Sequence, residues 1–250
     1  LYLLYRFYAY GVPPDWSRWA DYLFWGKAYF HLYFLAVAMQ LYLLLPLLLP
    51  IARLRLPFWA VLLALVALTM AVYWFNRLVY RLPYTGSYVL WYTPVILLGL
   101  WLATQASRLE QILRRGWLVA LVCACVGLWL YLPLALQALR GAPVNTFQYQ
   151  VGNWLFTAGV SFLLLTGAYW LSRWESRVVG GVQLLGRYSL QIYLLHPLVL
   201  SELGRWSVSS VLPVRWGLPL FVGLALLVPF AVGWLLARVP RVSVAVFGRA

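Results

Sequence analysis

Residues 117–139 read WLVALVCACVGLWLYLPLALQAL and hold no charged side chain. A hydrocarbon core of ~30 Å is crossed by about 20 apolar residues in one helix, so this run reads as a membrane span. Working outward, similar runs lie at about 28–49, 57–75, 88–104, 151–171, 187–203 and 216–237, and residues 1–10 look like the tail of one more helix. Short polar segments separate them: 11–27 with Pro13, Pro14, Asp15 and Asp21, then 77–86, a basic loop at 105–116, 140–150, and a glycine-bearing stretch at 172–186. The expectation is an all-α fold, a polytopic integral-membrane helical bundle of seven full transmembrane helices plus a partial N-terminal one. No internal repeat stands out.

Composition supports that class. Hydrophobic residues make up 65% of the 250 and charged ones 10%, where a soluble domain sits near ~45–50% and ~25%. A transmembrane barrel would show short alternating segments instead. Spans and short loops use up the chain, leaving no room for a separate soluble domain. The net charge of +14 would raise nucleic acid as a partner of a soluble protein. Here the basic residues sit in loops and at helix ends, where they set topology and meet anionic headgroups, so the expected partner is the lipid bilayer and not nucleic acid.

The basic residues can be counted by side. One side carries Arg53, Arg55, Arg108, Arg114, Arg115, Arg173, Arg177, Arg187, Arg238, Arg241 and Arg249, eleven in all. The other carries Arg6, Arg18, Lys27, Arg77, Arg81, Arg140, Arg205 and Arg215, eight in all. The positive-inside rule then puts the C-terminus in the cytoplasm. Trp and Tyr near span ends, such as Trp25, Trp91 and Trp216, follow the aromatic-belt pattern. Cys123 and Cys125 stand two apart, so they do not share a helix face, and neither a disulfide nor a metal pair is expected. The chain starts at Leu1 without a signal-peptide pattern, and the expectation is a fragment whose N-terminal part is missing.

Few polar groups are left to carry chemistry. In residues 186–197, GRYSLQIYLLHP, a polar turn runs into an apolar helix that ends on His196 and Pro197. A helix begun near Arg187 puts His196 about 13 Å along it, close to mid-membrane. An ionisable group there is costly and marks a functional site by default; the alternative is a histidine satisfied by a neighbouring helix or by a serine of the preceding turn. Ser189, Tyr193 and His196 fall at i, i+4 and i+7, on one helical face. Such a stripe suits a polar path or a proton relay, or plain interhelical hydrogen bonds. Glu202 lies beyond Pro197 and within reach of Arg205, three residues on. His31 opens the span at 28–49 and reads either as an interfacial residue that water reaches or as a catalytic one. Gln40, nine residues deeper, needs partners for its amide and should face the bundle. A phosphate could meet Arg53 with Arg55, or Arg173 with Arg177, although topology explains those charges equally well. No nucleophile elbow, phosphate loop, zinc spacing or dinucleotide fingerprint is present.

Three stretches carry a resemblance. Residues 31–49, HLYFLAVAMQLYLLLPLLL, residues 92–103, YTPVILLGLWLA, and residues 186–198, GRYSLQIYLLHPL, resemble in order and spacing the membrane acyltransferase 3 family, bacterial integral-membrane O-acyltransferases. The resemblance covers nearly the whole chain as a single transmembrane acyltransferase-like domain, 1–250, lacking the first two to three spans. It implies transfer of an acyl group, usually acetyl, from cytoplasmic acyl-CoA to a hydroxyl of a carbohydrate or glycolipid of the cell envelope, at the inner (plasma) membrane. Acyl-CoA is then a donor substrate, and no bound cofactor or metal is implied. Carried onto this sequence, His31 and His196 become the candidate catalytic residues. Tyr33, Gln40, Ser189, Tyr193 and Glu202 become candidate substrate-lining residues. The family's own proposed catalytic histidine and arginine motifs lie on earlier spans, and no residue here matches them. A transporter or glycan exporter using the same stripe as its path is the rival reading. The lack of repeat symmetry counts against it. A third is an inactive fragment.

Overall fold

The computed structural model describes residues 2–54, 56–206 and 212–239. Arg55, Arg241 and Arg249, counted above, lie outside the described residues. All regular structure among the described residues is helical, and the chain divides into two compact units, Leu1–Tyr169 and Trp170–Ala250.

The first unit holds α1 (Tyr2–Tyr10), α2 (Trp19–Phe24), α3 (Tyr33–Arg53), α4 (Phe58–Trp74), α5 (Thr93–Thr104), α6 (Leu109–Leu139) and α7 (Thr146–Leu171), the last of which runs just past its boundary. Local chemistry sets the breaks. Pro57 precedes α4 in an extended conformation, as expected for a residue that cannot continue a helix from its N-terminal side. The Asn145 carboxamide oxygen accepts from the amides of Phe147 and Gln148, both at 3.1 Å, which caps α7. Leu102, Leu113, Ala120 and Phe162 form a buried core between α5, α6 and α7.

Helices α6 and α7 pack through small residues. Gly159 faces Ala120 and Ala124, Gly127 faces Gly152 and Phe156, and Gly116 faces the Phe162 ring. Close backbone approach through small residues is the usual device for membrane helices, because lipid is as apolar as the side chains and offers no hydrophobic drive to association. Large apolar side chains point outward instead, among them Leu63 at 64%, Val119 at 66% and Trp129 at 75% exposure. That inversion of the soluble pattern is what a lipid-facing surface looks like.

The second unit holds α8 (Arg177–Arg187), α9 (Ser189–Arg205) and α10 (Val214–Leu236). Ser176 caps α8 through its hydroxyl, which accepts from the Val179 amide at 3.3 Å. Helix α9 packs on α10 at a glycine: a Cβ at Gly233 would stand 2.9 Å from Gln191 Cγ. Tyr188, just before α9, meets Phe230 edge to face at 5.3 Å.

Among the described residues, five helical segments are long and apolar enough to cross a membrane: Tyr33–Pro50, Phe58–Val79, Ala106–Leu139, Thr146–Leu171 and Val214–Leu236. The other two expected spans are shorter. The segment Val89–Thr104 opens with a tight turn, and its α-helical part is 12 residues with Pro94 in the first turn. Helix α9 has 17 residues and starts at Ser189, because Gly186 and Arg187 belong to α8 and Tyr188 interrupts the helical run. His196 is therefore about 10 Å into its helix, not 13 Å. Two expected loops are mostly helical. Arg114 and Arg115 ride on the first turns of α6, whose Leu109, Ile112 and Leu113 supply an apolar face. Most of 172–186 is α8, with charges at its two ends and apolar residues between.

Candidate functional site

The candidate residues fall in both units, and each group has its own surroundings. In the first unit His31 sits in the turn before α3 and is buried at 6% exposure, so the expectation that water reaches it is overturned. Its ring is boxed by Tyr2, edge-on at 4.8 Å, with Tyr29 at 5.7 Å and Phe30 at 5.5 Å. The Tyr2 end of α1 closes the box.

Gln40 faces the bundle as its chemistry requires. Its amide nitrogen donates to the Ser87 carbonyl at 2.7 Å, and its oxygen accepts from the Val89 amide at 2.9 Å. Both ends of the side chain are thus taken up by the backbone of the 85–89 segment. Ser87, fully buried, donates from its hydroxyl to the Trp25 carbonyl at 3.0 Å. Trp25 packs against Tyr88 with the rings tilted, their centroids 4.4 Å apart. A turn at Gly26, with φ of 65°, brings the chain from α2 back against Leu32, a conformation glycine adopts without a Cβ penalty. Tyr33 is 37% exposed at the start of α3 and adjoins Tyr92, whose hydroxyl donates to the Gly86 carbonyl at 2.8 Å.

A charged cluster lies in the same unit. Arg18 donates to the Asp21 carboxylate at 3.2 Å, Tyr84 donates to the same oxygen at 3.2 Å, and the Lys27 ammonium lies 4.2 Å over the Tyr84 ring. Burial pushes the Lys27 amine below its ordinary value, and the Asp21 partner raises Arg18.

In the second unit α9 carries Ser189, Tyr193 and His196 on one face. Ser189 is exposed, and Tyr193 and His196 are half-buried with their rings 6.2 Å apart. His196 Nδ1 lies 3.0 Å from the Ile192 carbonyl. A carbonyl oxygen only accepts, so Nδ1 is the donor of this bond. The histidine is thus held by its own helix, at the turn before Pro197. Glu202 lies six residues on, about 240° around the helix from His196, and so off the stripe. It is paired with Arg205 at 2.9 Å.

Some residues that organise these sites escaped the reading of the chain. Tyr2, Ser87 and Gln191 are buried at 4%, 0% and 2%. A buried polar side chain in an apolar helix is a legible signal for Gln191. Nothing in sequence spacing links Tyr2 to His31 or Ser87 to Gln40. Among the described residues, no three His, Cys, Asp or Glu side chains stand close enough to share a metal ion. Cys123 and Cys125 are free thiols.

A family model described as an acyltransferase domain matches residues 1–238. No curated protein and no solved structure matches the chain.

Proposed function

The chain belongs to the acyltransferase 3 family, and from that premise we propose that it is an integral-membrane O-acyltransferase. It moves an acyl group, in the simplest case acetyl, from acyl-CoA to a hydroxyl of a cell-envelope or exported carbohydrate. The thioester C–S bond breaks, a C–O ester bond forms, the hydroxyl proton passes to a base, and the CoA thiol leaves protonated. The shorter helices α5 and α9 also lie within the membrane, giving seven spans and a partial one in a single acyltransferase domain. The eleven-to-eight excess of loop arginines supports a cytoplasmic C-terminus in the inner (plasma) membrane.

The observation that carries the site assignment is the His196–Ile192 bond. A ring tied at Nδ1 to its own helix is fixed in orientation, which a general base needs. Ser189 and Tyr193 line the approach of the acyl donor along the same face. His31, in its aromatic box, lines the acceptor side with Tyr33 near it. Gln40 supports this region through the Ser87–Val89 backbone.

The test is transfer of labelled acetyl from acetyl-CoA to carbohydrate by membranes containing the protein. Ester-linked label that depends on the protein supports the reading. Absence of transfer by stably inserted protein, across carbohydrate acceptors and acyl donors, overturns it. If His31→Ala and His196→Ala both keep the full rate, the site assignment fails while the reaction class stands.

A further inference from the structure

A cavity of about 910 Å³ lies in the first unit between α4, α5, α6 and α7. Along α4 its wall extends from Phe58 to Met70, and along α6 from Gln111 to Cys123, each about 18 Å at 1.5 Å per residue. Leu62, Val66, Leu98, Val119 and Leu155 make the walls apolar. The volume is at the upper end of the roughly 300–1,000 Å³ range of small-molecule sites.

The polar lining is polarised. Gln105, Arg108, Gln111 and Arg115 all stand at one end, where α5 gives way to α6. Trp101 packs on Phe58 at 4.9 Å toward that end, and its indole nitrogen is buried without a hydrogen-bond partner. An indole N–H is donor only, so a buried one without an acceptor is a cost that an incoming acceptor removes. Glu110, the acidic residue of this segment, accepts from the Tyr169 hydroxyl at 3.2 Å. The other end lies beside Cys123 and Trp154, where the lining is mostly apolar.

Helix α6 is 31 residues long, about 46 Å, against ~30 Å of hydrocarbon. If its Leu139 end reaches one interface, its first turns pass the other, which sets Arg115 at headgroup level. Val119 and Val66 of the cavity wall are also 66% and 48% exposed, so the cavity opens at the protein surface there and a chain can slide in sideways from the bilayer. Guanidinium groups match phosphate oxygens in paired hydrogen bonds.

We propose that this cavity is a binding site for an anionic phospholipid, with one acyl chain between α4, α5, α6 and α7 and its phosphate on Arg108 and Arg115. The assignment stands on the first unit alone and does not depend on the acyl-transfer reading.

Cys123 reports on occupancy from the tail end. The chain has two cysteines, so Cys125→Ser leaves Cys123 as its one thiol. The rate of its alkylation by N-ethylmaleimide is measured on purified protein in detergent. Three additions are compared with no lipid: phosphatidylglycerol, phosphatidylcholine and palmitoyl-CoA. Phosphatidylglycerol is expected to slow alkylation about tenfold, the equivalent of ~1.4 kcal/mol, and phosphatidylcholine clearly less. Arg108→Gln with Arg115→Gln is expected to abolish the difference, and Arg140→Gln, outside the cavity, to leave it intact. Equal protection by the two phospholipids overturns the proposal, as does protection by palmitoyl-CoA alone, or protection that survives loss of both arginines. Should Cys125→Ser not fold, native mass spectrometry of the wild-type protein reads the same point: retained phosphatidylglycerol supports it, and equal retention of phosphatidylcholine sinks it.

Discussion

Gly159 of α7 lies against Ala124 of α6 so closely that a Cβ at position 159 would stand 2.6 Å from the Ala124 amide nitrogen. The obstruction is backbone, which cannot swing aside. Gly159→Leu should therefore push α6 and α7 apart and destabilise the protein by about 1–3 kcal/mol or more. Gly167, eight residues on in the same helix, has open space around it. Gly167→Ala should be neutral or stabilise by about 0.5–1 kcal/mol, the helix-propensity gain. Thermal denaturation in detergent reads both, and similar melting temperatures for the two variants would refute the close-packing account.

His196→Asn separates packing from chemistry. An asparagine amide can still donate to the Ile192 carbonyl that His196 Nδ1 contacts at 3.0 Å, but it offers no basic nitrogen. Melting should stay close to wild type while acyl transfer falls about 10²–10⁴-fold, the usual worth of a general base. Full activity in the asparagine variant would make His196 a structural residue.

His31→Phe asks the same question of the first unit. A phenyl ring can occupy the box formed by Tyr2, Tyr29 and Phe30 at similar volume but carries no nitrogen to exchange a proton. The expected result is a stability change of less than about 1.5 kcal/mol with a fall in the acyl-transfer rate of at least about tenfold. If rate and stability both stay at wild-type level, His31 only packs.

Gln40→Leu should lose stability rather than selectivity. It strands the Ser87 carbonyl and the Val89 amide that now bond at 2.7 Å and 2.9 Å. The cost of leaving such buried groups unmet is about 1–3 kcal/mol each. Melting temperature should drop, and the KM for acceptor should change little in the protein that remains folded.

Glu202→Gln is expected to do little. Its pair with Arg205 is part-exposed, where such pairs contribute about 0–1 kcal/mol, and it lies off the face that carries His196. A loss of acyl transfer beyond about tenfold, with melting unchanged, would return Glu202 to the site.

Much of the helix plan was legible because it depends on local composition. Residues 117–139 and the runs at 28–49, 57–75, 151–171 and 216–237 each fall within a helical segment long and apolar enough to cross a membrane, to within a few residues. The charged segments misled, because charge was read as loop. Arg114 and Arg115 sit on helix α6, about 100° and 200° around it from the buried Leu113, and a helix that outruns the bilayer can carry arginines in its first turns. The helix carrying His196 starts at Ser189, two residues later than expected, because Gly186 and Arg187 belong to α8.

The sequence by itself determined that this is an all-helical chain built for a membrane, and that it belongs to an acyltransferase family. Uncharged runs of spanning length and the ordered motifs around His31 and His196 depend only on neighbours along the chain. Tertiary structure alone decided what those residues do at rest. It seated Tyr2 against His31, joined Gln40 to Ser87 and Val89, and opened an arginine-ended cavity between α4 and α7. Those contacts join segments far apart in the chain, at distances set by backbone approach at glycines such as Gly159 and Gly26, and no local periodicity encodes such a distance.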